Sequence, residues 1–572
     1  MTGKQRTLRS ARWFEQDSIR GFAHRQRSLQ MGYRREDFMG KPVVGIINTH
    51  SDLATCHQHL RQRAEDVKRG VLRAGGFPVE LPTFSLGEVL VKPTTMLYRN
   101  LLAIETEELL RAHPIDAAVL LGGCDKTTPG LIMGATSADI PSVFIPAGPM
   151  MSGSFKGRAV GAGTHTKKYW DERRKGEITE NDWLDLETAM TRSPGTCQTM
   201  GTASTMTCIV EAMGLTLPGA ASIPAVDSAH PRMAAQAGEV ATRLATHGLP
   251  LSELLTEAHF NNAAVALMAL GGSTNAAIHL IAMARRAGLT KYKLTDLVAA
   301  GKGVPVLADL FPHGSHMMQD FHDAGGMRAL LHRVQKWLDL DTIGGDGNSL
   351  GSAIEGAQVW NDTVIRPVDN PVTERPALAV VKGSLAPGGA VIKPSSASTE
   401  LMKHEGRAVV FDGPADMAAR IDHEEISKDD VLVLRGGGPV GAPGMPEWGN
   451  LPIPKPLLEK GVKDIVRISD SRMSGTHYGT CILHVSPESA VGGPLALIET
   501  GDRIALDVDS GRLDLLVDED ELIARREKWQ PPEAPSRGWS ALYVAHVGQA
   551  EDGCDFDFLL ADGRPVQEPE IF

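Results

Sequence analysis

From residue 41 to residue 148, short β-branched runs alternate with amphipathic segments, and few folds accept that rhythm. KPVVGIIN, residues 41–48, leads through a loop into CHQHLRQRAEDVKRGVLRAGG, where Leu60, Ala64, Val67 and Val71 recur at helical spacing. Gly75 and Gly76 then stop that helix. FPVELPTF, IDAAVLL and PSVFIPAG read as further strands, with MLYRNLLAIETEELLRAH and LIMGATSAD as the helices between them. Repeated strand–helix–strand units predict an α/β/α domain, a parallel sheet with helices on both faces. Ligands of such sheets gather outside the carboxyl ends of the strands, so the loops NTHSDLATC and GGCDKTTPG are expected to face one crevice.

Residues 193–332 carry mostly helical patterns, including GTASTMTCIVEAMGL and HFNNAAVALMALGGSTNAAIHLIAMARRAGL. After IRPVDNPVTERP the texture changes to short strands between glycines, such as LAVVKGSLAPGGAVI, RAVVFDG and RIALDVDSGRLDLLVD. A second, β-rich and barrel-like domain is expected from about Ala377. The predicted division is 1–376 and 377–572, consistent with a chain of 572 residues being too long for one ordinary core.

A formal net charge of -12 argues against a nucleic-acid binder, which needs a basic face for phosphates, and favours a small-molecule substrate. No run approaches the roughly 18 consecutive apolar residues of a spanning helix, and MTGKQRTLRSARWFEQDS lacks the apolar centre of a signal peptide. The expectation is a cytoplasmic protein without a membrane segment. Six cysteines without a CxxC pair form no disulfide framework, leaving reduced thiols, ligands or core fillers.

Cys56, Cys124 and Cys197 each precede a predicted helix in Gly-, Thr- or Ser-rich loops. Helix N-termini lower thiol pKa, and thiolates ligate soft metals; each thiol alone reads equally as filler, as Cys208 and Cys481 do. Asp125 and Lys126 adjoin Cys124 and read as a crevice pair or as an ordinary surface ion pair. Glu88 in FSLGEVLVKPTT and Glu447 in PGMPEWGN are loop carboxylates suited to an oxygen-loving cation. RGGGPVGAPG lacks the Lys-Ser/Thr of a P-loop and reads as a loop bringing backbone close to a ligand. His57 and His59 read as capping or packing residues, and SDSRMSGTHYGT has no G-x-S-x-G elbow of a serine hydrolase.

Together these loops resemble one family. GGCDKTTPG resembles the CDKxxPG signature of the dihydroxyacid and phosphogluconate dehydratases, and NTHSDLATCHQHL, SPGTCQTMGTAST, GGPVGAPGMPE and SRMSGT follow in the family's order. The resemblance implies an iron-sulfur cluster on Cys56, Cys124 and Cys197 with one iron left open as a Lewis acid. It implies magnesium on Glu88, Asp125, Glu447 and a carbamylated Lys126. It also implies that Ser474 is the base that takes the C2 proton.

The amino-acid-biosynthetic members read close to TDGRFSGGT, where this chain has Ser471 at the small residue and Thr476 at a usual glycine. Thr476 adds a hydroxyl near the base. The SGT form resembles the sugar-acid branch, implying a 2Fe-2S cluster and conversion of an aldonate to its 2-keto-3-deoxy acid. A pentonate such as L-arabinonate or D-xylonate is the first expectation. The alternatives are the branched-chain dihydroxyacid dehydratase and a non-catalytic iron-sulfur binding protein. The family also implies a homodimer or homotetramer.

Overall fold

The computed structural model describes residues 6–174, 176–560 and 568–571. Its first sheet holds β1 (Val43–Asn48), β2 (Phe77–Pro82), β3 (Ala117–Gly122) and β4 (Ser142–Pro146) in the order β2-β1-β3-β4, all parallel. Strands covered on both faces must be apolar throughout, and every residue of β1, β3 and β4 is buried. Val44, Ile46, Val119 and Leu121 meet helices α1 (Leu60–Arg73) and α7 (Ala229–His247) on one side. Val43, Ile47, Ala118 and Leu120 meet α2 (Met96–Ala112) and α3 (Thr127–Ala138) on the other. Leu60, Ala64, Val67 and Val71 are the apolar residues that α1 buries, as their spacing predicts. Helices α1 and α7 cross closely because Gly70 and Gly238 lie at the contact. A Cβ on Gly70 would come within 1.8 Å of the Ala235 carbonyl oxygen.

Between β4 and the next helices the chain makes an excursion that the sequence patterns do not announce. It contains the hairpin β5 (Gly153–Phe155) and β6 (Arg158–Val160), followed by α4 (Thr164–Arg174) and α5 (Glu180–Met190). Phe155, Val160, Tyr169, Leu186 and Met190 form its own small core. Helices α6 (Thr202–Ala212), α8 (Glu257–Ala269) and α9 (Asn275–Arg286) pack into the main core behind α3.

The second sheet starts at β7 (Ala379–Val381) and continues with β8 (Gly389–Ile392), β9 (Lys403–Asp412), β10 (Val431–Arg435), β11 (Val466–Ser469), β12 (Cys481–Ser486), β13 (Arg503–Asp507) and β14 (Arg512–Leu516). Their order is β14-β13-β9-β10-β11-β12-β8-β7. Lys382, just past β7, exchanges hydrogen bonds with Gly511 and Leu513 beside β14, which nearly closes the sheet into a barrel. Alternation sorts the side chains: Val431 and Val433 join one core, Leu432 and Leu434 the other. Among the described residues no helix is long and apolar enough to cross a membrane.

Candidate active site

All four strands of the parallel sheet deliver a loop to one crevice at their carboxyl ends. The loop after β1 carries Cys56, that after β2 Glu88, and that after β3 Cys124, Asp125 and Lys126. The chain leaving β4 runs beside the Cys197 segment, where the Thr196 N–H donates to the Gly148 carbonyl and the Met150 N–H to that of Thr196, both at 2.9 Å. The barrel adds Glu447 from the loop after β10 and Ser474 from the loop after β11.

Lys126 is fully buried, which excludes the surface ion pair. Its Nζ lies 3.1 Å from Glu88 Oε2, 3.4 Å from Asp125 Oδ2 and 3.6 Å from Glu447 Oε1. Burial and then Arg472 pull the amine down, but the three carboxylates outweigh them and it ends above its ordinary value. Oxygens of Glu88, Asp125 and Glu447 all lie within 4.8 Å of one another, a hard-cation donor set. Burial pushes Glu88 up, and its Oε2 also accepts from the Thr95 hydroxyl. Glu447 ends low instead, because Lys126 and then Arg472 outweigh burial. One of its oxygens, Oε1, takes the Asn275 Nδ2 at 2.9 Å and the Arg472 Nη1 at 3.0 Å.

The three thiols are unpaired and meet beside this cluster. Cys56 contacts Cys124, and that contact, then burial, raises its thiol well above the usual value. Burial, then Asp125 and Cys124, pushes Cys197 up to about 12. For Cys56 and Cys197, burial and the neighbouring thiol and carboxylate outweigh any lowering from the helix that follows. Cys208 in α6 and Cys481 in β12 are buried fillers. His57 packs rather than caps. Its Nε2 accepts the Cys124 N–H at 3.1 Å, and burial pulls it down to about 3.

Ser474 Oγ lies 3.0 Å from Thr476 Oγ1. The serine loop is pressed against α6 and the turn before α9, since a Cβ on Gly475 would fall 2.9 Å from both Ser273 Oγ and the Thr202 nitrogen. Thr202, Ser273 and Asn275 form one network, with Thr202 Oγ1 2.9 Å from Ser273 Oγ and 3.1 Å from Asn275 Nδ2. On the excursion side, a Cβ on Gly163 would reach 2.9 Å from the Thr476 methyl. The sequence reading misses Thr202, Ser273, Asn275 and the anchoring role of Arg472, whose only signal is their place in glycine-bounded stretches.

The glycine-rich loop behaves differently from its expectation as a ligand cradle. Gly437 N–H donates to Asp470 at 2.9 Å, while Val440 and Gly441 donate to Glu488 at 2.9 and 2.8 Å. Two internal carboxylates hold these amides, so the loop positions Glu447 rather than presenting its amides to a ligand.

Residues 41–353 match the dihydroxy-acid/6-phosphogluconate dehydratase N-terminal family and residues 363–554 the corresponding C-terminal family. The chain is 59% identical over 570 residues to 6-deoxy-6-sulfo-D-gluconate dehydratase of Pseudomonas putida, covering 99% of this chain and 98% of that one. It is 45% identical to L-arabinonate dehydratase of Rhizobium leguminosarum, covering 97% and 96%. To dihydroxy-acid dehydratase of Moorella thermoacetica it is 37% identical, covering 93% and 97%. With both halves matched and full-length relatives of this similarity, the chain belongs to the dihydroxy-acid/6-phosphogluconate dehydratase family.

Proposed function

We propose that the chain dehydrates a sugar acid, removing the C2 proton and the C3 hydroxyl to give a 2-keto-3-deoxy acid. The observation that carries this reading is the meeting in one crevice of three unpaired thiols, three carboxylates around one amine, and a serine–threonine pair. These donors fit the groups the family implies: converging thiols suit an iron-sulfur cluster, for which we take 2Fe-2S, and carboxylates suit Mg2+. Lys126 stands among those carboxylates, so a cation fits once the amine is no longer cationic, which carbamylation achieves. When bound, the two groups would supply Lewis acids for the leaving hydroxyl and for the carboxylate end of the substrate.

The chain's own residues supply the proton transfer. Ser474, as its alkoxide, takes the C2 proton and becomes the hydroxyl, the C–H electron pair forms the C2–C3 double bond, and the hydroxide leaving C3 takes that proton from the serine to depart as water, restoring the alkoxide. The enol then tautomerises to the keto acid. Thr476 Oγ1 lies 3.0 Å from Ser474 Oγ, within reach to donate to it when Ser474 is the alkoxide. Thr202 and Ser273, buried and bonded to one another at 2.9 Å, back the serine loop and hold it in place.

Two sugar-acid readings remain. Pentonates follow from the SGT form of the serine loop. The 59% identity to a dehydratase of 6-deoxy-6-sulfo-D-gluconate, against 45% to one of L-arabinonate, favours a six-carbon acid with an anionic C6. A panel of L-arabinonate, D-xylonate, D-gluconate, 6-deoxy-6-sulfo-D-gluconate and 2,3-dihydroxyisovalerate, scored by 2-keto acid formation, tests both. Turnover of the branched acid alone would sink the proposal, and no turnover of any would favour a non-catalytic binding protein.

A further inference from the structure

Lys393 follows β8 in the barrel, yet its side chain ends inside the helical core of the other half. It is 3% exposed, and its Nζ donates to the Gly271 carbonyl at 2.7 Å. Among the described residues it pairs with no carboxylate. The titratable group facing it is His313, which burial and then Lys393 itself hold neutral at about 3. A buried amine without a counter-ion is costly, and burial alone pulls this one down to about 7. What offsets the cost is the location, because Gly271 lies just beyond the end of α8, where carbonyl oxygens accumulate negative charge. Gly271 itself has φ +60, and a Cβ there would come within 2.4 Å of the His313 ring, so the turn cannot shift toward that side.

The turn from Gly271 to Asn275 reaches both chemical ends of the site. Asn275 Nδ2 donates to Glu447 Oε1 at 2.9 Å and Ser273 packs on Gly475, next to Ser474. Beyond Lys393, the Ser396 carbonyl accepts the Gly479 N–H at 2.9 Å from the other end of the serine loop.

We propose that Lys393 is a positioning residue that holds the Gly271–Asn275 turn, and through it Glu447 and the Ser474 loop, in register across the two halves of the chain. This rests on the roles given to Glu447 and Ser474 above. The test uses the full-length protein loaded with iron and sulfide in bicarbonate buffer, with Mn2+ as the cation probe read by electron paramagnetic resonance. Lys393→Met should lower kcat at least about tenfold with KM within about threefold, and weaken Mn2+ binding about tenfold. Lys393→Arg, which keeps a donor, should recover most of both. Asn275→Ala should give the same pair of defects, and the double variant should be no worse than Asn275→Ala alone. Should Lys393→Met not fold, Lys393→Gln takes its place in the same cycle, its amide being too short to reach Gly271.

Wild-type kcat and Mn2+ affinity in the folded Lys393 variant would overturn the proposal. So would defects that multiply in the double variant, or a wild type that binds no Mn2+. A wild type that binds Mn2+ but dehydrates no aldonate would remove the functional reading alone, since the Mn2+ cycle still decides the role of Lys393.

Discussion

Arg472 is the side chain whose loss should reveal most about how the site is held. It is fully buried and spends its whole guanidinium on three partners: Glu447 Oε1 at 3.0 Å, Thr94 Oγ1 at 3.1 Å and the Met445 carbonyl at 2.7 Å. Arg472→Met keeps the apolar stem and removes all three bonds. Removing one partner of a buried ion pair costs about 3–5 kcal/mol, because the other charge is left behind. The Glu447 side chain is 21% exposed and keeps Lys126 at 3.6 Å, so the lower end, about 3 kcal/mol, applies. At roughly 2–4 °C per kcal/mol for domains of about 150–250 residues, the melting temperature should fall by about 6–12 °C.

The pH dependence separates charge from packing. Glu447 is held below its unfolded value in the native chain, so its pairing contributes stability above about pH 4.5 that is lost as pH falls through the lower folded pKa. Without Arg472 that contribution shrinks, so the deficit should be full and flat from pH 8 to about pH 4.5 and narrow only below that, on further acidification toward about pH 3. Differential scanning calorimetry of both proteins in chelator, across that range, reads it. A deficit below about 1 kcal/mol, or one that does not change with pH, would refute an electrostatic role for Arg472.

Three shorter predictions complete the set. Ser474→Ala should lower kcat by roughly 10²–10⁴, the span of a lost general base, while the visible absorption of bound iron-sulfur stays unchanged; retained turnover would remove Ser474 as the base. Burial holds His230 neutral at about 3, and its Nε2 lies 3.0 Å from the Pro146 carbonyl oxygen, to which it donates. The unfolded chain takes up that proton below about pH 6.5 and the folded one does not, so His230 costs nothing above pH 6.5 and loses stability as pH falls toward 3, at most about 4–5 kcal/mol. His230→Gln should therefore flatten the fall of melting temperature between pH 6.5 and 4, and an unchanged slope counts against this. Cys197→Ser should lose most bound iron and sulfide in an anaerobic preparation while its circular dichroism stays native; full retention would place the cluster elsewhere.

What the sequence discloses here is what depends on local period and on motif. Leu60, Ala64, Val67 and Val71 face the sheet because one helical stripe must be buried, and that stripe is visible without coordinates. The parallel sheet follows from the alternation, and with it the crevice that receives Cys56, Cys124 and Asp125. Properties set by contacts distant in the chain do not show. Asn275 and Glu447 are 172 positions apart, and Gly271 and Lys393 are 122 apart. Lys393 looks like any lysine between a strand and a proline. The excursion from Gly153 to Met190 escapes the patterns because its core is small and its helices are rich in charged residues. The sign of the thiol shifts is missed for a related reason. A helix N-terminus is a local feature, whereas the crowding of Cys56 by Cys124 is tertiary.

The glycine-rich loop offers the sharpest separation between a cradle for ligand and a clamp for structure. A Cβ on Gly438 would meet Glu488 Oε2 at 2.4 Å and the Glu488 Cβ at 2.5 Å. Glu488 cannot swing away cheaply, because Val440, Gly441 and the Gln549 amide all donate to it. Gly436 is the contrast: at φ +82 it has nothing within 4 Å of its missing Cβ, so alanine there costs about 1 kcal/mol of left-handed backbone strain and no clash. Gly438→Ala should cost about 1–3 kcal/mol of overpacking and displace the loop that ends in Glu447. Its signature is a lower melting temperature together with weaker Mn2+ binding, with Gly436→Ala near wild type in the second measurement. If the loop instead cradled substrate, both variants would raise KM and leave Mn2+ binding near wild type. That outcome would return the amides of Gly437, Val440 and Gly441 to the ligand and leave Asp470 and Glu488 without a task.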